Sequence, residues 1–101
     1  MLFGMSDEHW SIVNSLVVAP LKSVGARVFV FGSRATGVHH TFSDLDMVYV
    51  TPLNTELDSD LLARIRGDIE DSDLPIKLDL VSRSEIAPSY LPRIDSECVE
   101  I

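Results

Sequence analysis

The chain has a single cysteine, Cys98, among 101 residues, so no disulfide can form within it. That fits a reducing compartment, and Cys98 itself reads as a small apolar residue near the C-terminus. Positive charge is also scarce. Eight Lys and Arg stand against sixteen Asp and Glu, a net charge of −8 with no basic run anywhere. A non-specific nucleic-acid binder has the opposite balance. No apolar stretch approaches bilayer-spanning length. The segment from Met1 to Met5, followed by Ser6-Asp7-Glu8, has neither a charged n-region nor a cleavage site. Repeats, low-complexity tracts and linkers are missing too. With 46% apolar residues, the expectation is one soluble, cytoplasmic domain over residues 1–101, just large enough to bury a core of its own.

What the chain does have is a set of carboxylates in apolar surroundings. Asp44 and Asp46 flank Leu45 at the start of the run Leu45 to Val50, and Asp79 interrupts Lys77-Leu78-Asp79-Leu80-Val81. An isolated charge in a strand of this kind is costly. Strand side chains alternate faces, so Asp44 and Asp46 share one. Close carboxylates repel unless they are protonated or bridged by a cation, and an all-oxygen set suits Mg²⁺, which takes carboxylates together with substrate phosphate oxygens. Gly32-Ser33 ends the run Val28-Phe29-Val30-Phe31 and opens a short segment able to present backbone N–H groups to phosphate. Metal-dependent phosphoryl or nucleotidyl transfer is the natural reading. The bland reading keeps Asp44 as a turn cap, Asp46 solvated, and Asp79 paired with Lys77 on one strand face.

The pattern places the first helix after an N-cap at Ser6, with the stripe Trp10, Val13, Leu16-Val17, Leu21, Val24. Pro20 is expected to kink or divide it near Ala19, and Gly25 to end it. Strands are expected at Arg27 to Phe31, Leu45 to Val50 and Ile76 to Val81, with Val99 to Ile101 as an edge strand or packed tail. A second helix is expected over Leu53 to Asp71, on the stripe Leu57, Leu61-Leu62, Ile65, Ile69. One helical turn is expected within Gly32 to Gly37 and another at Ser84 to Ala87, with Pro88 and Pro92 breaking the chain beyond it. Trp10, Phe29 and Phe31 read as core, and His39 and His40 as loop residues. The fold class is α+β: a small mixed β-sheet with helices packed against it.

Gly32-Ser33, ten intervening residues, Asp44-Leu45-Asp46 and a lone strand carboxylate at Asp79 resemble the nucleotidyltransferase superfamily that includes DNA polymerase beta. The strings Phe31-Gly32-Ser33-Arg34-Ala35-Thr36-Gly37, Ser43-Asp44-Leu45-Asp46 and Ser72 to Val81 are similar to its minimal prokaryotic branch, and the resemblance runs from about residue 10 to residue 100. The resemblance implies that Asp44 and Asp46 hold two Mg²⁺ ions, that Asp79 completes the catalytic one and takes the proton of the attacking hydroxyl, and that Gly32, Ser33 and Arg34 bind the phosphates of ATP or another NTP. It also implies a separate helical partner of the HEPN or substrate-binding-like type, in place of the acceptor-binding domain of larger relatives. In the best understood such pairs the minimal enzyme is an antitoxin that transfers AMP from ATP to a tyrosine of a toxin. The alternative is a catalytically silent module that masks its helical partner by contact alone.

Overall fold

The computed structural model describes residues 2–101. Helix α1 (Asp7–Val13) starts where expected: Ser6 is its N-cap, and its side chain accepts the His9 amide at 3.1 Å. The helix does not break at Pro20. It passes through a π-helical turn, Asn14–Val18, into α2 (Ala19–Ser23). Pro20 has no N–H to give the previous turn, and the wider turn absorbs that loss, the Ala19 amide reaching back to the Asn14 carbonyl. The extra residue also rephases the apolar stripe, so that Val13, Val17, Val18 and Leu21 are all buried.

Four strands form one sheet in the order β3-β2-β1-β4: β1 (Arg27–Phe31), β2 (Leu45–Val50), β3 (Leu78–Ser82) and β4 (Val99–Glu100). β1 runs antiparallel to β2 and β4, and β2 runs parallel to β3. The mixed sheet follows from chain length between strands. A short connection suffices for the β1–β2 pair, whereas a parallel neighbour needs a crossover, here α4 (Ser59–Glu70). One sheet face carries Val28, Val30, Leu45, Met47, Tyr49 and Leu80, all buried. The first helical segment packs there together with Leu61, Leu62, Ile65 and Ile69 of α4. Arg66 of α4 also donates to the Leu80 carbonyl at 2.9 Å, covering part of the open edge of β3.

α4 begins six residues later than the stripe suggests. Pro52 and the left-handed Asn54 (φ 62°) form a turn, closed by Thr55 N–H to the Pro52 carbonyl at 3.0 Å, and Asp58 then caps the helix by accepting the Asp60 amide. Turn and cap chemistry outweighs the apolar pattern of Leu53 and Leu57. β3 starts at Leu78 instead of Ile76 and extends through Ser82, its register set by pairing with β2.

The last segment departs further. Arg83–Glu85 and Pro88–Tyr90 are 3₁₀ turns, and Leu91–Glu97 is a helix, α5, with Pro92 in its first turn. A proline there needs no donor and starts a helix as readily as it ends one. β4 then pairs with β1, and Arg27 clamps Glu100 through two hydrogen bonds of 2.9 and 2.7 Å.

Leu21 is fully buried, whereas Val24 one turn on is 47% exposed. Leu21→Ala is expected to destabilise the protein by about 2–5 kcal/mol in denaturant unfolding, and Val24→Ala by less than about 0.5 kcal/mol.

Candidate active site

Strand pairing builds the site. Phe31 of β1, Asp46 of β2 and Asp79 of β3 are register partners across three adjacent strands, so their side chains share the sheet face opposite the main core. Asp46 and Asp79 therefore stand side by side, half-buried, although 33 residues separate them in sequence. Asp44, two residues before Asp46, is exposed at the mouth of β2. The Leu45 amide, between the two, donates to the Lys77 carbonyl at 2.9 Å, fixing the entry of β2 to that of β3.

Gly32 closes the site from the β1 side. Its φ of 74° is a conformation that L side chains rarely adopt, and a Cβ built there would lie 2.6 Å from Asp46 Oδ2. Only glycine allows the backbone to turn this close to the carboxylate. The turn leads into the four-residue helix α3 (Ser33–Thr36), with Gly32 at its N-cap. The amides of Ser33 and Arg34 open that turn and have no intrahelical acceptor.

The electrostatics follow from crowding. The Asp46 carboxyl is pushed above the ordinary aspartate range first by burial, then by the negative charges of Asp79 and Asp44, with Lys77 opposing them. Lys77 Nζ lies 3.5 Å from Asp79 Oδ1, as the bland reading allows, in an exposed pair of little energetic weight. Among the described residues no group of three His, Cys, Asp or Glu stands close enough to hold a metal ion by itself. The protein presents a crowded acidic edge, not a closed cage. Hard oxygen donors under mutual repulsion fit a divalent cation that draws its remaining ligands from elsewhere.

Arg34 is placed elsewhere. It is 3% exposed, and its guanidinium donates to the carbonyls of Phe3 (2.8 Å), Ser43 (3.0 Å), Thr41 (3.0 Å) and His40 (3.4 Å). Its fork is taken up by the main chain rather than offered to phosphate, and that correction follows from the curvature of the Gly37–Ser43 loop around it. His39 and His40 lie in that loop, as expected. Phe29 and Phe31 are a second correction. Val28 and Val30 take the buried face, and alternation puts both phenylalanines on the other one. Phe29 lies under the Arg27 guanidinium, 5.1 Å from ring centre to Cζ. Phe31, with Gly32, Ile86, Ala87 and Ile94, lines a cleft of about 410 Å³ beneath α5. Strand alternation alone would have placed Phe31 beside the carboxylates.

A family model described as a nucleotidyltransferase domain matches residues 7–101. The chain belongs to this nucleotidyltransferase family. Among solved structures, a chain assigned as a minimal nucleotidyltransferase is similar over 96% of this chain and 97% of its own, at 28% identity and a TM-score of 0.69. A toxin-antitoxin structure with AMP-PNP is similar over 86% and 70% of the two chains, at 18% identity and a TM-score of 0.64. A mutant of the toxin-antitoxin MntA-HpeT gives 87% and 70%, at 18% identity and a TM-score of 0.63. The last two likenesses concern the fold. No curated protein sequence matches the chain. The chain is a nucleotidyltransferase of the α+β fold.

A raised carboxyl pKa in the folded state contributes stability below the ordinary aspartate range, and that contribution is lost as pH rises through the raised value. In chelator, Asp46→Asn is therefore expected to match the wild type in melting temperature at acidic pH. Between there and neutral pH it should become the more stable of the two, as thermal melts across the range will show. A lower melting temperature for Asp46→Asn at neutral pH would mean that the carboxylate is structurally required.

Proposed function

We propose that residues 1–101 act as a single minimal nucleotidyltransferase domain that transfers AMP from ATP to a hydroxyl of a helical, HEPN-type partner protein in the cytoplasm, as the antitoxin-like half of a pair. The observation that carries this reading is the alignment of Asp46 with Asp79 across the parallel strands, with the left-handed Gly32 turn against the Asp46 carboxylate. It joins a general base, an acidic edge for cations and a phosphate-facing turn within one face of a small sheet. Two neighbouring structures named as toxin-antitoxin, one of them with AMP-PNP, support both the partner and the adenine nucleotide.

In this reading Asp44, Asp46 and Asp79 hold two Mg²⁺ ions, aided by phosphate oxygens of the nucleotide. When bound, the ions would supply charge neutralisation to the transferring phosphate. Gly32 and Ser33 bind the β and γ phosphates through the turn and its free amides. The acceptor hydroxyl oxygen forms the new bond to the α-phosphorus, the bond from that phosphorus to the bridging oxygen breaks, and pyrophosphate leaves. Asp79 takes the hydroxyl proton. Lys77 pairs with Asp79 and offsets part of the repulsion at Asp46. The Arg34 guanidinium acts through the fold, its donors taken up by main-chain carbonyls.

Two measurements test this reading. ATP binding followed by calorimetry is expected with Mg²⁺ and to be nearly lost in chelator, because the acidic edge repels a bare triphosphate. Equal affinity in both conditions excludes a metal-bridged site. Incubation with labelled ATP, Mg²⁺ and the helical protein encoded beside this one is expected to label that protein on tyrosine. Asp44→Ala or Asp79→Ala should reduce the label by about 100-fold or more while the complex survives size exclusion. If the wild type neutralises its partner with no label, and both variants neutralise equally well, masking by contact is the function.

A further inference from the structure

Residues 2–5 precede the region matched by the family model, yet they are tied to Arg34 and through it to the loop that leads to Asp44. Leu2 and Met5 form an isolated antiparallel bridge, closed by Met5 N–H to the Leu2 carbonyl at 2.9 Å, with Phe3 (φ 55°) and Gly4 (φ 72°) both left-handed between them. A phenylalanine in that conformation is uncommon and persists only where its surroundings over-determine it. Three contacts do so here. The Phe3 ring packs on Trp10 at 5.4 Å between centroids. Met5 is buried in the core. The Phe3 carbonyl takes the shortest of the four hydrogen bonds from Arg34.

The same guanidinium reaches into the loop that leads to Asp44. Its other acceptors are His40, Thr41 and Ser43, the last of these adjacent to Asp44. The loop is itself curled, with Ser43 N–H on the His40 carbonyl at 3.1 Å and His40 N–H on Ser43 Oγ at 2.8 Å. His39, the residue before it, lies against Gly4, where any Cβ would run into the imidazole. Its Nδ1 is buried with no hydrogen-bond partner, and its Nε2 edge faces Gly4 of the hook. Arg34 belongs to no ion pair among the described residues. A buried cation served only by carbonyls is held by geometry, and losing one acceptor weakens its grip on the others.

We infer that the N-terminal hook, Leu2 to Met5, is a brace for the carboxylate-bearing loop, with Arg34 as the positioning residue that links the two. The hook fixes the Arg34 fork, the fork fixes the His40–Ser43 turn, and the turn sets where β2 begins and where Asp44 stands. For catalysis the inference rests on the nucleotidyl-transfer reading; the mechanical link from hook to loop does not.

Gly4→Val breaks the brace at a distance from the site, through the clash with His39 and the left-handed φ. Arg34→Lys keeps the charge but offers a single ammonium where a planar fork served four carbonyls. Hydrogen exchange on the full chain is expected to show amides at 38–45 exchanging about tenfold faster or more in both variants, with β1 amides unchanged. The double variant should add little to either alone, since both cut the same link. Transfer to the partner protein is expected to fall about tenfold or more in both, with affinity for Mg²⁺-ATP weakened as well, since Asp44 is one of the proposed metal ligands. If loop exchange stays at the wild-type rate in Gly4→Val, the hook is not a brace. If the loop loosens but transfer holds, the brace has no part in positioning Asp44. If the wild type transfers nothing, the proposed function fails while the exchange result still decides the mechanical link.

Discussion

One half-buried carboxylate organises the molecule. Asp46 sits in the central strand, between a glycine that must be glycine and a second carboxylate that repels it. Placing negative charge there costs stability in the absence of a counter-ion, through burial and through Asp79 and Asp44. The surrounding features follow from tolerating that cost. The sheet pairs β2 on both sides, the first helical segment and α4 pack on the opposite face, and Gly32 turns away with no side chain to obstruct the space in front of Asp46. A fold selected for stability alone has no reason to align Asp46 with Asp79, because an apolar pair in that register would add burial instead of repulsion. The alignment leaves an acidic edge that the chain itself balances only in part, through Lys77.

The parts of the structure set by local rules were legible in the sequence. The N-cap at Ser6, the span of Arg27–Phe31 and the span of Leu45–Val50 fall where capping, β-branched runs and a following proline place them. The parts settled by competition were not. Leu53 and Leu57 continue a helical stripe, but Pro52, Asn54 and Asp58 hold better turn and cap chemistry, and the helix waits for them. Pro92 reads as a breaker in isolation and acts as a starter once Tyr90 has turned the chain. In the site, the three aspartates were visible as charges in apolar runs and alternation put Asp44 and Asp46 on one face, whereas Asp79 was joined to them by the family resemblance alone, since a parallel register is set by the whole crossover. Arg34 shows a further limit: its neighbours in sequence suggest an anion, and the curvature of a later loop supplies carbonyls instead.

The sheet is also less symmetrical than a two-layer plan suggests. Its core face is sealed by the first helical segment and α4, but the carboxylate face is covered in part only, by α5 and the 3₁₀ turns after β3. Phe31 lies at the boundary, with one flank beside Asp46 and the other in the cleft under α5. The face that carries the chemistry is thus floored by an apolar wall, where electrostatic interactions are stronger than at an open surface.

The parallel pairing of β2 with β3 gives the chain an order of assembly. Gly32, Asp44 and Asp46 lie within a single local stretch from β1 to β2, which can form with little loss of chain entropy, whereas Asp79 arrives only after the α4 crossover has been laid down. Closure of that long-range pair brings the third carboxylate to the other two, while the sheet's other edge waits for β4 to pair with β1. The three carboxylates therefore come together only once the α4 crossover is in place, so the acidic edge depends on the longest-range pairing next to β2 and not on the local β1–β2 unit alone.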